Sequence, residues 1–203
     1  MPINLEKQKE RFKNHVAKFT DYGNIKILDY KNPKSCEYRI RFLFEEDYHR
    51  LHISGDLGEL IATNYYNMRF DKFADFLGDP DYFAEKIDCM NRSRYVYDED
   101  LARQDLRERI ENEDKKAEIL WDWDDVENYI DNVLRDFDDC IGIGSKGRDE
   151  IDNIFQDSFE LVGDIGKEST GIIELYLMAF ELAMKDLRSR RKDNGENDDT
   201  GNY

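Results

Sequence analysis

Apolar residues repeat along this chain with two different periods, and the change from one to the other divides it. Leu5, Phe12, Val16 and Phe19 share one face of a helical wheel, which predicts a first helix over residues 4–19. From Ile25 the period shortens. Ile25, Ile27 and Leu28 open a strand, Asn32-Pro33 marks a turn, and Tyr38, Ile40, Phe42 and Phe44 alternate with Arg39, Arg41 and Leu43. Such alternation marks a half-buried strand. Leu51 and Ile53 belong to the next strand, and Gly55 and Gly58 suit a tight connection to a return strand over 59–65. Residues 24–66 thus read as a small antiparallel meander.

Helical spacing resumes beyond it. Phe70, Phe73, Phe76 and Leu77 make a stripe that stops at Gly78. Asp79 is placed to cap the next helix, with Pro80 at its first position and Tyr82, Phe83 and Ile87 inside. Asp98 to Lys116 is a charged helix. Its acid-before-base pairs Glu99–Arg103, Asp105–Arg109 and Glu111–Lys115 contribute about 0.2–0.5 kcal/mol each. Over 118–140, Ile119, Trp123, Val126, Ile130, Val133, Phe137 and Cys140 form a heptad seam, ended by Gly142, Gly144 and Gly147. Ile151, Ile154, Phe155, Phe159 and Val162 give a further amphipathic helix.

The last helix, 170–191, is apolar on almost every side up to Met184. It is therefore either the centre of a bundle or, through Tyr176, Met178, Phe180 and Met184, the contact between two copies in a homodimer. The expected architecture is α+β: a small antiparallel β-meander flanked by helices, followed by a mostly helical C-terminal half. Its parts are a sheet-containing α+β part over 1–92, an acidic helical part over 93–191 and a disordered tail over 192–203.

Charge sharpens this picture. The net charge is −17, and residues 98–139 hold seventeen carboxylates against six Lys or Arg, eleven of that excess. Such a surface repels free nucleic acid and anionic membranes and attracts basic proteins. Asp124, Glu127, Asp131 and Asp138 fall in one sector of the 118–140 wheel, away from the apolar seam. They cover about 21 Å of helix, with one charge per about 5 Å. That is sparser than duplex DNA, at about 1.7 Å per charge, but alike in sign and regularity. The ladder is a solvated face, a docking face for a basic protein with Trp121 and Tyr129 as rim contacts, or a cation site.

Motifs for chemistry are weak. Asp122-x-Asp124-Asp125 lacks the glycine and distal Glu of a calcium loop. The run Gly142-Ile143-Gly144-Ser145-Lys146-Gly147 spells G-x-G-x-x-G but follows a helix, not the strand a dinucleotide site needs. Glu168 stands where a phosphate loop has Ser or Thr. His49 and His52 are oddly spaced on one strand and face opposite sides. A Cys36–His49 or Cys36–His52 pair is the remaining nucleophile arrangement. The alternating Arg39 and Arg41, with Arg50 near them, make a basic stripe on the sheet's outer face or pair with the acidic helices. No catalytic residue, metal site or cofactor is expected. Cys36, Cys89 and Cys140, odd in number and without paired spacing, suit a reducing cytoplasm, and no apolar run reaches the length of a membrane span.

The stretch from Tyr38-Arg39-Ile40-Arg41-Phe42 through Ser54-Gly55-Asp56-Leu57-Gly58-Glu59 to Asp79-Pro80-Asp81-Tyr82-Phe83-Ala84-Glu85-Lys86-Ile87 resembles small acidic proteins of bacteriophages and mobile elements of Gram-positive bacteria. The resemblance covers roughly residues 36–100. It implies an anti-defence, anti-CRISPR-like inhibitor that acts in the host cytoplasm. Its partner would be a basic host protein, a Cas9-type effector nuclease or its nucleic-acid complex, whose nucleic-acid-binding surface it blocks. The alternatives are a metal-dependent hydrolase using carboxylates of the acidic segment, and an oligomeric structural or regulatory phage protein.

Overall fold

The alternation at Ile40, Phe42 and Phe44 is built as one strand of a six-stranded antiparallel sheet with strictly sequential order. The strands are β1 (Val16–Asp21), β2 (Ile25–Lys31), β3 (Ile40–Glu45), β4 (Arg50–Gly55), β5 (Leu60–Thr63) and β6 (Ile87–Met90). The structure, a computed structural model, describes residues 2–117, 123–152 and 162–193, and only the backbone at 113–117, 123–124 and 192–193. The fold is α+β, as the sequence predicts, with more strands than the apolar pattern alone marks out.

Two units divide the chain: Arg94–Thr170 is one, and Ile3–Ser93 with the segment from Gly171 onward is the other. The expected division at residue 92 placed the last helix with the acidic part. It belongs instead to the sheet unit, because its apolar residues are buried there. That helix runs Ile172–Asp193, two residues into the expected tail; residues 194–203 lie outside the described residues.

In the sheet unit, α1 covers Leu5–Arg11 only, capped by the Asn4 side chain, which accepts from Lys7 N–H at 2.9 Å. The expected first helix therefore stops early. Val16 to Asp21 pairs with β2 from Val16↔Lys31 to Asp21↔Lys26. A 3₁₀ turn at Phe73–Phe76 and the short helix α2 (Pro80–Ala84) follow the meander. Asp79 caps α2 as expected, accepting from Tyr82 N–H at 2.9 Å, whereas Ile87 leaves the helix to start β6.

The final helix packs against α1, α2, β1 and β2. Tyr176 and Phe180 are fully buried in this core, and Met178 and Met184 pack half-buried at its edge. Phe180 meets the rings of Phe42, Phe44, Phe70 and Phe73 at 4.7–6.3 Å. Each buried Phe contributes about 1.5–3 kcal/mol from burial, and favourable ring pairs add about 0.5–1.5. The apolar surround expected to reach a second copy is thus satisfied within one chain, and Tyr176 and Phe180 are not a free dimer surface.

The Ser54–Glu59 turn is a structural clamp. Asp56 accepts from the Arg39 backbone N–H at 3.0 Å, and Tyr176 donates its hydroxyl to the Leu57 carbonyl at 3.1 Å.

The other unit begins and ends in a two-stranded ribbon, β7 (Tyr95–Tyr97) against β8 (Lys167–Ser169). Between them lie α3 (Glu99–Ala117), α4 (Trp123–Val133), a 3₁₀ turn (Leu134–Asp136) and α5 (Ser145–Asp152). The last helix of the chain is accordingly α6. Ala102, Leu106 and Ile110 of α3 share a core with Val126, Ile130 and Val133 of α4, realising the middle of the heptad seam. The helix ends before the seam does: Phe137 is extended (ψ 142) yet packs half-buried on this core, and Cys140 is exposed. No helix among the described residues is long and apolar enough to cross a membrane.

Candidate functional site

Charge is unevenly shared between the two units. Residues 94–170 carry 24 carboxylates against 10 Lys or Arg, which is −14 of the total −17. The helical unit is therefore where an electrostatic function would sit, and its predicted acidic ladder can be followed residue by residue.

Glu127 and Asp131 lie one turn apart on α4 and both face α3. Arg107 forks onto Glu127 with Nε to Oε1 at 2.6 Å and an Nη to Oε2 at 2.8 Å. Arg103 donates to Asp131 at 2.7 Å and also meets Glu99 at 3.6 Å. The pairing with Arg107, chiefly its hydrogen bonds, holds the Glu127 carboxyl below the usual range and raises the Arg107 guanidinium, while the hydrogen bond to Asp131 raises that of Arg103. These two ladder positions therefore brace α3 against α4. Asp131 retains substantial exposure, 64% of its side chain, so it still presents charge outward.

Asp138 departs from the ladder because α4 has already ended. It sits in a turn, where its carboxylate accepts from Cys140 N–H at 2.8 Å and its backbone bridges Gly142. For Asp124 only the backbone is described, and Trp121 lies outside the described residues. Tyr129, expected at a rim, is buried at 8% exposure, with its hydroxyl donating to the Glu150 carbonyl. Burial pushes its pKa well up. Sequence reasoning weighed Asp125 only within a failed calcium motif and did not single out Asp149 and Glu150; all three are exposed on the neighbouring helices α4 and α5.

The glycine run has a structural explanation. Asp136 places its carboxylate at the N-terminus of α5 and accepts from Lys146 N–H at 2.9 Å and Gly147 N–H at 3.1 Å. These donors, Lys146 first, hold its carboxyl below the usual range. A helix N-terminus is an anion site, and here the chain's own carboxylate fills it. A Cβ at Gly144 would collide with that carboxylate, and one at Gly147 with the Val133 carbonyl oxygen. The two glycines are needed for this close approach, which leaves no cradle for a ligand phosphate. The run opens α5 and joins it to the turn that follows α4.

On the sheet unit, the Arg39/Arg41/Arg50 stripe is neutralised from within. Arg41 forks onto Asp29 at 2.7 and 3.1 Å, Arg39 meets Asp56 at 3.5 Å, and Arg50 meets Glu45 at 3.7 Å. His52 Nε2 donates to Glu45 at 2.9 Å. His49 precedes β4 in a left-handed turn conformation (φ 51), and Cys36 is exposed in the β2–β3 connection. Neither histidine is hydrogen-bonded to Cys36 among the described residues. Nor do three His, Cys, Asp or Glu side chains converge there to hold a metal ion.

No family model, curated protein or solved structure matches this chain.

Proposed function

We propose that this protein is a non-enzymatic binding protein whose helical unit docks on a strongly basic protein surface. The partner suggested by the phage resemblance is a Cas9-type defence nuclease, with inhibition by occlusion of its nucleic-acid-binding channel in the host cytoplasm. The observation that carries this reading is charge segregation: −14 of −17 lies within 94–170, while the remainder of the chain is close to balanced. The contact set differs from a helical ladder. Glu127 and Asp131 fix the α3–α4 geometry, and Asp125, Asp131, Asp149 and Glu150 present the charge. Interacting fields of this sign steer association and exclude free nucleic acid.

The test is binding of the purified chain to a Cas9-type nuclease, followed by DNA cleavage across a salt titration. The reading expects tight binding at low salt, weakening as salt rises, and reduced cleavage. The triple variant Asp125→Asn, Asp149→Asn, Glu150→Gln should bind less tightly and show a shallower salt response. Absence of binding, or an affinity indifferent to both salt and the variant, would refute it.

A further inference from the structure

Of the seven large apolar or aromatic side chains that stand exposed among the described residues, six lie in the sheet unit: Tyr22, Ile25, Tyr48, Tyr65, Tyr66 and Tyr82. The topology brings them to one end. In a sequential antiparallel sheet, the β1–β2 turn, the β3–β4 turn and the exit from β5 all emerge on the same side. Tyr22 and Ile25 belong to the first, Tyr48 to the second, and Tyr65 and Tyr66 to the third. The connections at the opposite end carry Tyr38 and Leu57, which are both half-buried.

These loops are fixed to one another. Glu46 N–H donates to the Asn24 carbonyl at 2.8 Å, and Asn64 N–H to the His49 carbonyl at 3.1 Å. The Asn64 amide reaches the Tyr82 hydroxyl at 3.5 Å. Lys26 bridges the first two turns through Asp21 at 2.9 Å and Glu46 at 3.6 Å. The loops that carry the rings are therefore tied to one another. Tyrosine offers a large contact area at low entropic cost, which is why it recurs in protein-binding loops.

We propose that this tyrosine-bearing end is a second docking surface, and that its occupant is an arginine- or lysine-rich protein surface. Two of its rings already display the chemistry: the Arg50 guanidinium lies 5.6 Å from the Tyr48 ring centre, and the Lys86 ammonium 4.2 Å from that of Tyr82. Tyr22, Tyr65 and Tyr66 are 70–82% exposed and carry no cation over their rings among the described residues. Their electron-rich faces are open to cations from outside, and Asp47 is exposed beside them at the β3–β4 tip. The segments that carry these rings, residues 21–26, 45–50, 64–72 and 79–86, hold eight carboxylates against five Lys or Arg, and that local excess disfavours the other common aromatic-stacking partner, a nucleic acid. The inference is independent of the helical unit's reading, since it uses a different unit and different residues.

The experiment is fluorine NMR of the full chain labelled with 3-fluorotyrosine, titrated with octa-arginine. Resonances are assigned by single Tyr→Phe variants, in salt high enough to bring the screening length below about 8 Å. The Tyr22, Tyr65 and Tyr66 signals should shift saturably. Tyr65→Ser with Tyr66→Ser should weaken that site about tenfold, while the corresponding Phe pair, which keeps both rings, should retain it. The Asp125/Asp149/Glu150 triple variant should leave these shifts unchanged, which separates the two surfaces. Ring signals that stay still while octa-arginine binds elsewhere would overturn the proposal. So would shifts produced by a neutral cello-oligosaccharide and not by the peptide.

Discussion

The sheet unit and the helical unit solve the problem of stability with different materials. In the first, Phe42, Phe44, Phe73, Phe76, Phe83 and Phe180 interlock between sheet and helices, and its charges nearly cancel. In the second, the described core is mainly aliphatic, with Tyr129 as its buried aromatic, under a shell of net charge −14. Burial of large rings dominates one ledger, while paired carboxylates and close-packed joints matter more in the other. A unit that keeps this much like charge together works against its own compaction, and electrostatic recognition is the use that such an arrangement favours.

The widest separation between the units should come from their cores. Phe180→Ala removes the ring shared by sheet and α6 and should cost about 3–5 kcal/mol. The loss should appear in denaturant unfolding followed by backbone circular dichroism. Both tryptophans, Trp121 and Trp123, lie between Arg94 and Thr170, so their fluorescence reports on the helical unit. A Phe180→Ala transition equal in both probes, with no gap opening between them, would mean that the units do not unfold separately.

Gly147→Ala is the counterpart. A methyl group forced onto the Val133 carbonyl should cost about 1–3 kcal/mol. The tryptophan transition should move and the sheet's should not. An unshifted tryptophan midpoint would contradict the close joint between α4 and α5.

Mild acid should reach the sheet unit first. His15 is buried among Phe12, Tyr30 and Tyr38, with Nε2 donating to the Tyr38 carbonyl at 3.0 Å. Burial lowers its pKa from 6.5. As pH falls through 6.5 toward the depressed folded value, the unfolded chain takes up the proton first, so stability drops. The sheet unit should therefore weaken between about pH 7 and pH 5.5, where ordinary carboxylates stay ionised, and His15→Phe should flatten the slope. A slope that persists in the variant assigns the effect to another group.

The smallest effect belongs to the exposed ion pairs. Arg107→Gln should lower the stability of the helical unit only slightly, and less in high salt. A larger loss would mean that the Glu127 fork does more than brace two helices.

The same contrast governs what the sequence made legible. Alternation at Ile40, Phe42 and Phe44, and the Asp79-Pro80 start of α2, were readable because local pattern and tertiary role agree. Residues 16–19 were misread because Val16 and Phe19 also fit a helical face through Leu5 and Phe12; only pairing with β2 decides between the two. Strands of three residues, such as β7 and β8, are too short to show a period, so the ribbon enclosing the helical unit left no local signal. The acidic ladder extended past Val133 because no Pro or Gly marks the end of α4 there. The tyrosine end was invisible for another reason: its residues are separated by some sixty positions in sequence and meet only through the order of the strands.

The central claim is that the inserted helical unit supplies the charge-driven binding. Since Tyr95 pairs with Ser169 at its base, residues 94–170 can be replaced by a short glycine linker. The decisive measurement is the slope of log affinity against log salt for a Cas9-type nuclease, compared between the full chain and this excised form. The account predicts a steep slope for the full chain and a shallow one, at much weaker affinity, for a folded excised form. Equal slopes, or a full chain that does not bind, would contradict it.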